Sequence, residues 1–526
     1  MGQTSAIRWV QGFEQIGDST GFFFDAEVYG KAAPQQVVVT GSFRNWSQEM
    51  DDAAWQLRKI TPSRWKLMVH NPTFEQIPPR AEFKFRINEG EWLAPPGSAT
   101  NTIGSNLIAF PNMTPPLLAA EIHNSRSIWI RTDGYPRPLS PDAYRLTDAA
   151  GTVIPLADFL PNTEQEGMLI PGEDLDIGRI YYVEIPQQRL KSWCSFDGWF
   201  RKLYSDKELG ANISKDGSQT TFRIFSPRAK QIKLYLYREA TIQEAFETIE
   251  MVRDEQGVWE WTGEGDLKGV YYDFTVHGPD EPGNHFFETE PTHISDPYAR
   301  VNMDAWGRSR VWSNTTPASP LADGIPALED VIAYEVHVQD FTDLLPIEQE
   351  AQGTLVGMSR TGLKNKAGKS IGLDYLSDLG VNVVHLQPVQ EFMHYPDEVW
   401  KASFAADPFM QEMGIAEENY QWGYRTSHCF AIESKFRGKG DEPGEERDQF
   451  RDFVQACHDR NMAVIIDIVP NHTAENMDDE PHFFHFNVLD KLYYYRTREL
   501  DHIGEYGNEV KVTMPESSQI AQRFGL

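Results

Sequence analysis

Short strands with alternating apolar and polar positions fill the first part of the chain. Between about Gly21 and Phe110 they are separated by turn residues, as in QQVVVTGSFRNWS and AEFKFRINEGEWLAPP. This spacing is typical of an all-β module. From Pro115 to about Trp199, strand patterns such as IWIRTDG and RIYYVEIP predict a second small β module or spacer.

A third group of strands lies between Leu209 and Trp312. LGANISKDGSQTTFRIFSPRAKQIKLYLY contains two alternating strands joined through a Pro-Arg turn, and GVWEWTGEGDLKGVYYDFTV adds two more. Such patterns predict another β module, because each strand has one apolar face to bury.

From about Leu328 the pattern changes to apolar runs that alternate with amphipathic segments. Residues 331–338, VNVVHLQPV and AVIIDIV predict three buried strands. The segment SIGLDYLSDLG predicts a helix that stops at Gly380, and EERDQFRDFVQACHDRN predicts a helix with one apolar face. This alternation is typical of a parallel α/β fold. A long loop from Ala474 to about Met514 and a helix beginning at Pro515 follow.

Polar side chains follow the third of these strands. Asp467, Asn471 and His472 come directly after the apolar run of AVIIDIVPNHT. In parallel α/β folds the chemistry lies at the carboxyl ends of the strands. For this run alone, a polar strand end that only caps a loop is an equally good interpretation.

Three motifs resemble the alpha-amylase superfamily, glycoside hydrolase family 13. D-x-V-x-N-H at 467–472 resembles the motif at the third barrel strand of this superfamily. VIAYEVHVQDFT at 331–342 resembles the first barrel strand of its pullulanase and isoamylase branch, and YQWGYRTSHCFAIESKF at 420–436 resembles the WGY loop of the same branch. The resemblance implies a multidomain chain, with N-terminal all-β sandwich modules followed by about the first three strands of a (β/α)8 TIM barrel. It also implies a debranching, pullulanase-like α-glucan hydrolase that retains configuration.

The same resemblance implies roles for four residues. Tyr424 matches the tyrosine that stacks under the sugar ring at the cleavage subsite, and His472 matches the histidine that binds the primary hydroxyl of that sugar. Asp467 matches an aspartate that positions its neighbours. Asn471 stands where some relatives bind calcium, so calcium stays possible and no metal site or other cofactor is assigned.

Retaining hydrolysis needs two carboxyl groups about 5 Å apart. In the resembled family these follow later barrel strands, so we expect them beyond Leu526 and assign no catalytic residue within this chain. We therefore expect the chain as given to be an inactive fragment of a glycosidase. The alternative is a non-catalytic glycogen- or starch-binding protein.

The family usually places Asp-Pro after the matched tyrosine, whereas Arg425 and Thr426 stand here, which leaves α-1,6 or α-1,4 specificity open.

The first β module resembles a glycogen- or starch-binding module of family 48. Trp46 and Trp92 follow polar turn residues and match the two tryptophans that flank its concave face, with Arg86 and Asn88 as candidates for contacting sugar hydroxyls. A flat indole stacks well on the C–H face of a glucose ring. The alternative is that both tryptophans belong to the core of a small sandwich. The module at 201–320 resembles the one that precedes the barrel, where we expect packing rather than binding.

Length, charge and cysteine count limit the number of domains and the kinds of partner that this chain can have. The length of 526 residues predicts three or four domains, and the patterns and resemblances above divide the chain into 1–112, 113–200, 201–320 and 321–526. A net charge of −30 argues against nucleic acid and anionic membranes and leaves neutral ligands such as sugars open. The resemblance implies that the partner is an α-glucan such as glycogen, starch, pullulan or a maltooligosaccharide. The start of the chain lacks the pattern of a signal peptide, so we expect a cytoplasmic protein. Three widely spaced cysteines predict reduced thiols: Cys194, Cys429 and Cys457.

Overall fold

The computed structural model describes residues 4–71, 74, 76–111, 117–133, 137–188, 190–284, 286–287, 290–313, 316–413, 422–475, 485–502 and 510. The chain divides into two compact units: the first comprises Met1–Leu175 and Ile180–Ser195, and the second comprises Asp176–Arg179 and Phe196–Leu526. The helix predicted to begin at Pro515 lies outside the described residues. Among the described residues, none of the helices has the length and hydropathy needed to cross a membrane.

The first unit is built from strands, as the alternating pattern predicts. Its described elements are α1 (Thr4–Gln11), β1 (Phe13–Ile16), β2 (Ser19–Asp25), β3 (Val37–Gly41), β4 (Arg58–Lys59), β5 (Arg64–His70), β6 (Glu82–Ile87), β7 (Glu91–Trp92), β8 (Thr102–Ile103), β9 (Asn106–Ile108), β10 (Leu117–Asn124), β11 (Ser127–Asp133), β12 (Arg145–Asp148), β13 (Val153–Ile154), β14 (Leu156–Pro161), β15 (Glu166–Pro171), β16 (Tyr181–Ile185) and β17 (Leu190–Ser195).

Two sheets form the first module, with strand orders β1-β2-β5-β4 and β3-β6-β9-β8, and β7 pairs with β6. Their shared core is aromatic: Phe22, Phe24, Phe83 and Phe85 are almost fully buried. Because side chains alternate along β6, Lys84 lies on the opposite face from these phenylalanines. The second module is an eight-stranded sheet of order β13-β12-β16-β17-β10-β11-β15-β14.

The second unit adds helices to strands. Its described elements are α2 (Asp197–Phe200), β18 (Gly210–Ile213), β19 (Gln219–Phe225), β20 (Gln231–Tyr237), β21 (Glu247–Glu250), β22 (Val252–Arg253), β23 (Val258–Glu264), β24 (Tyr271–His277), β25 (His293–Ile294), β26 (Ser309–Arg310), β27 (Ala333–Val336), α3 (Val338–Thr342), α4 (Leu355–Met358), α5 (Leu373–Leu379), β28 (Val383–Leu386), β29 (Gln390–Phe392), α6 (Asp397–Phe404), α7 (Pro408–Glu412), β30 (Thr426–Ile432), α8 (Glu445–His458), β31 (Ala463–Ile466), α9 (Phe486–Tyr494), β32 (Thr497–Arg498) and β33 (Asp501–His502).

Strands β18–β26 form two sheets, which we call the sandwich. Their orders are β18-β19-β23-β22 and β21-β20-β24-β25, and β26 pairs with β24. Phe222 of β19 meets Tyr272 of β24 with ring centroids 5.0 Å apart, so the two sheets pack face to face. The predicted Pro-Arg turn is confirmed, since Pro227 and Arg228 lie between β19 and β20.

The three predicted parallel strands are confirmed. They are β27, β28 and β31, which pair in that order and in parallel register. The predicted end of α5 is also confirmed: Gly380 has φ 88° and its N–H closes the last turn on Leu376 and Ser377 carbonyls. Helix α8 buries Phe453 and Cys457 against a core that includes Leu386. The mostly-β first part is therefore followed by alternating strands and helices.

Strands β28 and β31 are shorter than the predicted apolar runs, and two further differences concern the first strand and the loop after β31. The first strand ends at Val336 rather than 338, because the His337 side chain accepts the Asp340 N–H and caps α3. The predicted long loop after β31 contains α9, whose described side chains are all but one buried. Helix α9 buries the charged Asp490, whose partner Arg228 is distant in the sequence, so the local pattern did not separate this helix from the loop around it.

The three cysteines carry free thiols, as their number and spacing predict. Cys194 and Cys457 are buried and Cys429 is partly buried. Burial raises the pKa of each thiol, so all three stay protonated at neutral pH.

Candidate functional site

A cluster of three side chains lies beyond the carboxyl end of β31. The Tyr424 hydroxyl donates to Asp467 Oδ2 at 2.8 Å, and His472 Nε2 lies 3.0 Å from the Tyr424 carbonyl oxygen. Asp467 is itself held by its N–H, which donates to the Leu386 carbonyl of the neighbouring strand at 2.8 Å. We call Tyr424, Asp467 and His472 the clamp. The structure thus brings together three of the four residues predicted in this region.

The phenol of Tyr424 is accessible and protonated. Its residue is 38% exposed, so one face of the ring can meet a ligand. Partial burial, and then the hydrogen bond to Asp467, raises the pKa of Tyr424 to about 12. At neutral pH the hydroxyl therefore remains a donor, and Asp467 fixes the direction of the ring.

Gly423 explains why the loop before Tyr424 can lie close to the sheet. Its φ is +89°, and a Cβ added there would stand 2.8 Å from the Pro388 carbonyl oxygen. Only glycine combines this backbone conformation with this approach. The end of the second parallel strand thereby supports the clamp.

Asn471, the fourth predicted residue, is separate from this cluster. It is exposed, and its carbonyl oxygen accepts the Val510 N–H at 2.9 Å. A different group could hold a metal ion in the described part of the chain: Glu391, His394 and Glu433 offer ligand atoms within 4.8 Å of one another. Two carboxylates and an imidazole suit a divalent cation.

The electrostatics of that group are consistent with a cation or a shared proton. Burial, and then the charge of Glu433, raises the pKa of Glu391 well above its usual range. Burial opposes protonation of His394, but the charge and hydrogen bond of Glu433 outweigh it and raise the histidine's pKa. Sequence analysis missed this group, although an acidic residue inside the strand segment PVQEF was a signal.

A row of three side chains, two of them polar, lies on one face of the parallel sheet near the clamp. Glu335, His385 and Ile465 stand in register on adjacent strands, so their side chains share one face. Gln387 Nε2 donates to Glu335 Oε1 at 3.1 Å, and both line a cavity of about 310 Å³ together with His337. The sequence motifs assigned no role to Glu335.

The first module presents the two predicted tryptophans side by side. The ring centroids of Trp46 and Trp92 are 6.2 Å apart, with the planes inclined by 51°. Trp92 is 39% exposed and Trp46 is half-buried, so neither belongs to the aromatic core. The predicted pair therefore forms an accessible aromatic surface.

Arg86 and Asn88 support this surface through the backbone. The Arg86 guanidinium lies 4.6 Å from the Trp92 ring centroid and donates to the carbonyl oxygens of Gly90 and Gln48. Asn88 is exposed and its side-chain oxygen accepts the Gln35 N–H at 2.8 Å. Arg86 is buried, so it positions Trp92 rather than standing open for a ligand.

Lys84 lies on the same face of β6 as Arg86, and it was not among the residues predicted for the surface formed by Trp46 and Trp92. Its ammonium group donates to Ser105 Oγ at 3.0 Å, and nearby Asn106 donates to Glu82 at 2.5 Å. The signal was present in the alternation of EFKFR, which places Lys84 and Arg86 opposite the buried phenylalanines.

Comparison with known families identifies two segments. Residues 208–299 match the model of carbohydrate-binding module 48, the isoamylase N-terminal domain, and residues 363–503 match the model of the alpha amylase catalytic domain. The first segment contains most of the sandwich, and the second contains α5, β28, α8, β31 and the clamp.

The resemblance to the alpha-amylase superfamily is confirmed.

Similar proteins within it are pullulanases and glycogen debranching enzymes. Pullulanase A of Streptococcus pneumoniae is 23% identical over 373 residues, which cover 66% of this chain and 27% of that protein. A glycogen debranching enzyme of Klebsiella pneumoniae is 29% identical over 330 residues, which cover 58% of this chain and 45% of that protein. The chain therefore spans less than half the length of these relatives.

Solved structures show the same fold. The pullulanase type I of Bacillus subtilis, complexed with maltose, aligns over 78% of this chain and 55% of its own with a TM-score of 0.53 and 20% identity. A pullulanase of Anoxybacillus sp., complexed with maltotetraose, aligns over 78% and 56% with a TM-score of 0.53 and 22% identity.

Proposed function

We propose that this chain is part of an α-glucan hydrolase of the pullulanase or glycogen-debranching type, in which the clamp holds one sugar at the cleavage subsite. The observation that carries the proposal is the joining of Tyr424, Asp467 and His472 beyond the end of a parallel strand, within the residues that match the alpha amylase catalytic domain. In this proposal β27, β28 and β31 are three strands of a (β/α)8 barrel.

The clamp can act on a sugar in two ways. The exposed face of Tyr424 stacks on a glucose ring and attracts the positive charge that develops in the transition state. His472 donates or accepts a hydrogen bond with a hydroxyl of the same ring. Asp467 binds the phenol and thereby sets the angle of the stacking surface. Retaining hydrolysis also requires a pair of carboxyl groups, of which the clamp has only that of Asp467, so we propose that the 526-residue chain alone does not hydrolyse α-glucans.

Maltotetraose binding to the clamp tests this proposal. The Trp46→Ala, Trp92→Ala form of the 526-residue chain removes the aromatic surface of the first module, and calorimetry then measures binding elsewhere. Tyr424→Ala and His472→Ala should each weaken that binding by about tenfold, on the order of 1.4 kcal/mol. Tyr375→Ala, which removes an exposed tyrosine of α5, is the matched control and should change nothing. Equal affinity in all of these variants would refute the clamp.

A second function is α-glucan binding by the first module, and the pairing of Trp46 with Trp92 favours it. This binding would also support the alternative of a non-catalytic glycogen- or starch-binding protein. Glycogen in a native gel should retard the 526-residue chain, and the Trp46→Ala, Trp92→Ala variant should migrate faster. Trp306→Ala removes an exposed tryptophan of the second unit and serves as the control. Equal retardation of the unmodified chain and both variants would show that Trp46 and Trp92 do not form a glycogen-binding site.

A further inference from the structure

A fully buried arginine of the sandwich binds two carboxylates. The Arg228 side chain is 0% exposed. Its guanidinium donates to Asp490 Oδ1 at 2.8 and 3.0 Å and to Oδ2 at 2.9 Å, and to Glu281 at 2.7 and 3.2 Å. Buried charges remain ionised only when they are closely paired, so losing Arg228 would leave two carboxylates without a counter-ion.

Asp490 is the point at which α9 is kinked. Its φ of −171° and ψ of 93° are not helical. The Tyr493 N–H donates to Asp490 Oδ1 at 3.2 Å, and the Leu489 carbonyl oxygen accepts the Ser226 hydroxyl at 2.6 Å. Ser226 of the sandwich and the Asp490 side chain therefore satisfy backbone groups at the kink, and Arg228 holds that side chain in place.

The two ends of α9 bind the segments that carry the clamp. At its start, the Phe486 and Asn487 N–H groups donate to Glu475 at 2.7 and 3.1 Å, and His485 Nε2 lies 2.8 Å from the Ser427 carbonyl oxygen. Glu475 follows His472 by three residues, and Ser427 follows Tyr424 by three.

The other end of α9 reaches the same segment. Beyond it, the Tyr495 hydroxyl lies 2.7 Å from Thr473 Oγ1. Thr473 is next to His472 in the chain. The two clamp segments are also joined directly, because the Ala474 N–H donates to the Thr426 carbonyl oxygen at 2.9 Å.

We propose that Arg228 is a positioning residue for the clamp, acting through Asp490 and α9. The sandwich then contributes to sugar binding without touching sugar: it fixes the helix from which both clamp segments are held. The role in sugar binding rests on the proposed function, whereas the mechanical link does not.

Hydrogen exchange measured by mass spectrometry tests the link in the 526-residue chain, without any sugar. Arg228→Met should speed exchange in residues 422–432 and 470–475 by about fivefold or more, while β20 and β24 keep their protection. Arg228→Lys, which keeps the charge, should restore part of that protection. Ser226→Ala removes only the hydroxyl on Leu489 and should give a smaller rise in the same peptides if Arg228→Met fails to fold.

Arg308→Met is the matched control. Arg308 belongs to the same sandwich. Its guanidinium pairs with the buried Asp273 and donates to the carbonyl oxygens of Ala240 and Ile242, none of which belongs to α9. It should leave residues 422–432 and 470–475 unchanged. The inference is overturned if Arg228→Met and Ser226→Ala leave these peptides at wild-type exchange, or if Arg308→Met accelerates them equally.

Sugar binding is measured separately. If Arg228→Met changes the exchange and the 526-residue chain binds maltotetraose, Arg228→Lys should weaken that binding, as Tyr424→Ala and His472→Ala do. If exchange changes but Tyr424→Ala has no effect on binding, the clamp is not a sugar site, while the link from Arg228 to its segments stands.

Discussion

At the scale of single residues, the clamp is held by contacts between residues that are distant in the sequence. Tyr424 and His472 are 48 positions apart in the chain and contact through a backbone carbonyl oxygen. The motif could not show that Asp467 would accept the phenol, because that contact depends on the path of the loop around Gly423. The buried Glu391 could not be assigned either, since its partner Glu433 is distant in sequence.

Tyr424→Phe separates the stacking surface from the hydroxyl. The variant keeps the ring and loses the donor to Asp467, so maltotetraose binding in the Trp46→Ala, Trp92→Ala background should weaken by about 0.5–1.5 kcal/mol. Tyr424→Ala should lose more, because it removes the ring as well. Calorimetry of the two variants side by side decides: an equal loss would assign the whole effect to the hydroxyl.

Asp296 should make stability depend on pH. It is buried in the sandwich, accepts the Tyr272 hydroxyl and the Tyr298 N–H at 2.8 Å each, and burial raises its pKa to about 6. The folded state then holds a proton that the unfolded chain releases near pH 4. The free energy of unfolding should therefore fall as pH rises from about 4 to about 6, by up to about 3 kcal/mol.

Asp296→Asn cannot titrate and should flatten this pH dependence. Urea unfolding at several pH values between 4 and 7 measures the slope for both proteins. A slope that is identical in the variant would show that other groups cause it.

At the scale of elements, local patterns predicted the regular segments well. The amphipathic stripe of α8 and the glycine after α5 are local signals, and both elements stand where they were expected. Helix α9 is different, because all but one of its side chains are buried and Asp490 at its kink is bound by Arg228, 262 residues earlier in the chain. Helices α6 and α7 were also missed. Non-local contacts of this kind leave no periodicity in the sequence.

Gly423→Ala should be costly because two effects coincide. The positive φ disfavours any side chain, by about 1–2 kcal/mol, and the added Cβ would also meet the Pro388 carbonyl oxygen. Gly440→Ala is the matched control, since Gly440 has φ +92° and open space around its Cβ position. Thermal unfolding should rank Gly423→Ala as clearly the less stable variant. Equal stabilities would mean that the loop moves away from the sheet without cost.

At the scale of the whole molecule, composition and patterning predicted several β modules before a parallel α/β segment. The boundaries at 112, 200 and 320 remain predictions. The sequence did not show that the sandwich and the parallel segment are joined by a buried ion cluster, because Arg228, Glu281 and Asp490 each resemble ordinary surface charges in the sequence.

The 526-residue chain should release no reducing sugar from pullulan, starch or glycogen. The clamp contains one carboxyl group, that of Asp467, whereas retaining hydrolysis requires a pair about 5 Å apart. An active pullulanase under the same conditions is the positive control. Hydrolysis that persists through purification and disappears on Glu335→Gln or Glu391→Gln would place a catalytic carboxyl group within this chain.

A crystal structure of the 526-residue chain with maltotetraose tests the central claim most directly. We predict a glucose ring stacked on the exposed face of Tyr424, with a ring hydroxyl within hydrogen-bond distance of His472 and the Tyr424 hydroxyl still on Asp467. A sugar bound at Trp46 and Trp92 at saturating concentration, together with an empty clamp, would contradict it.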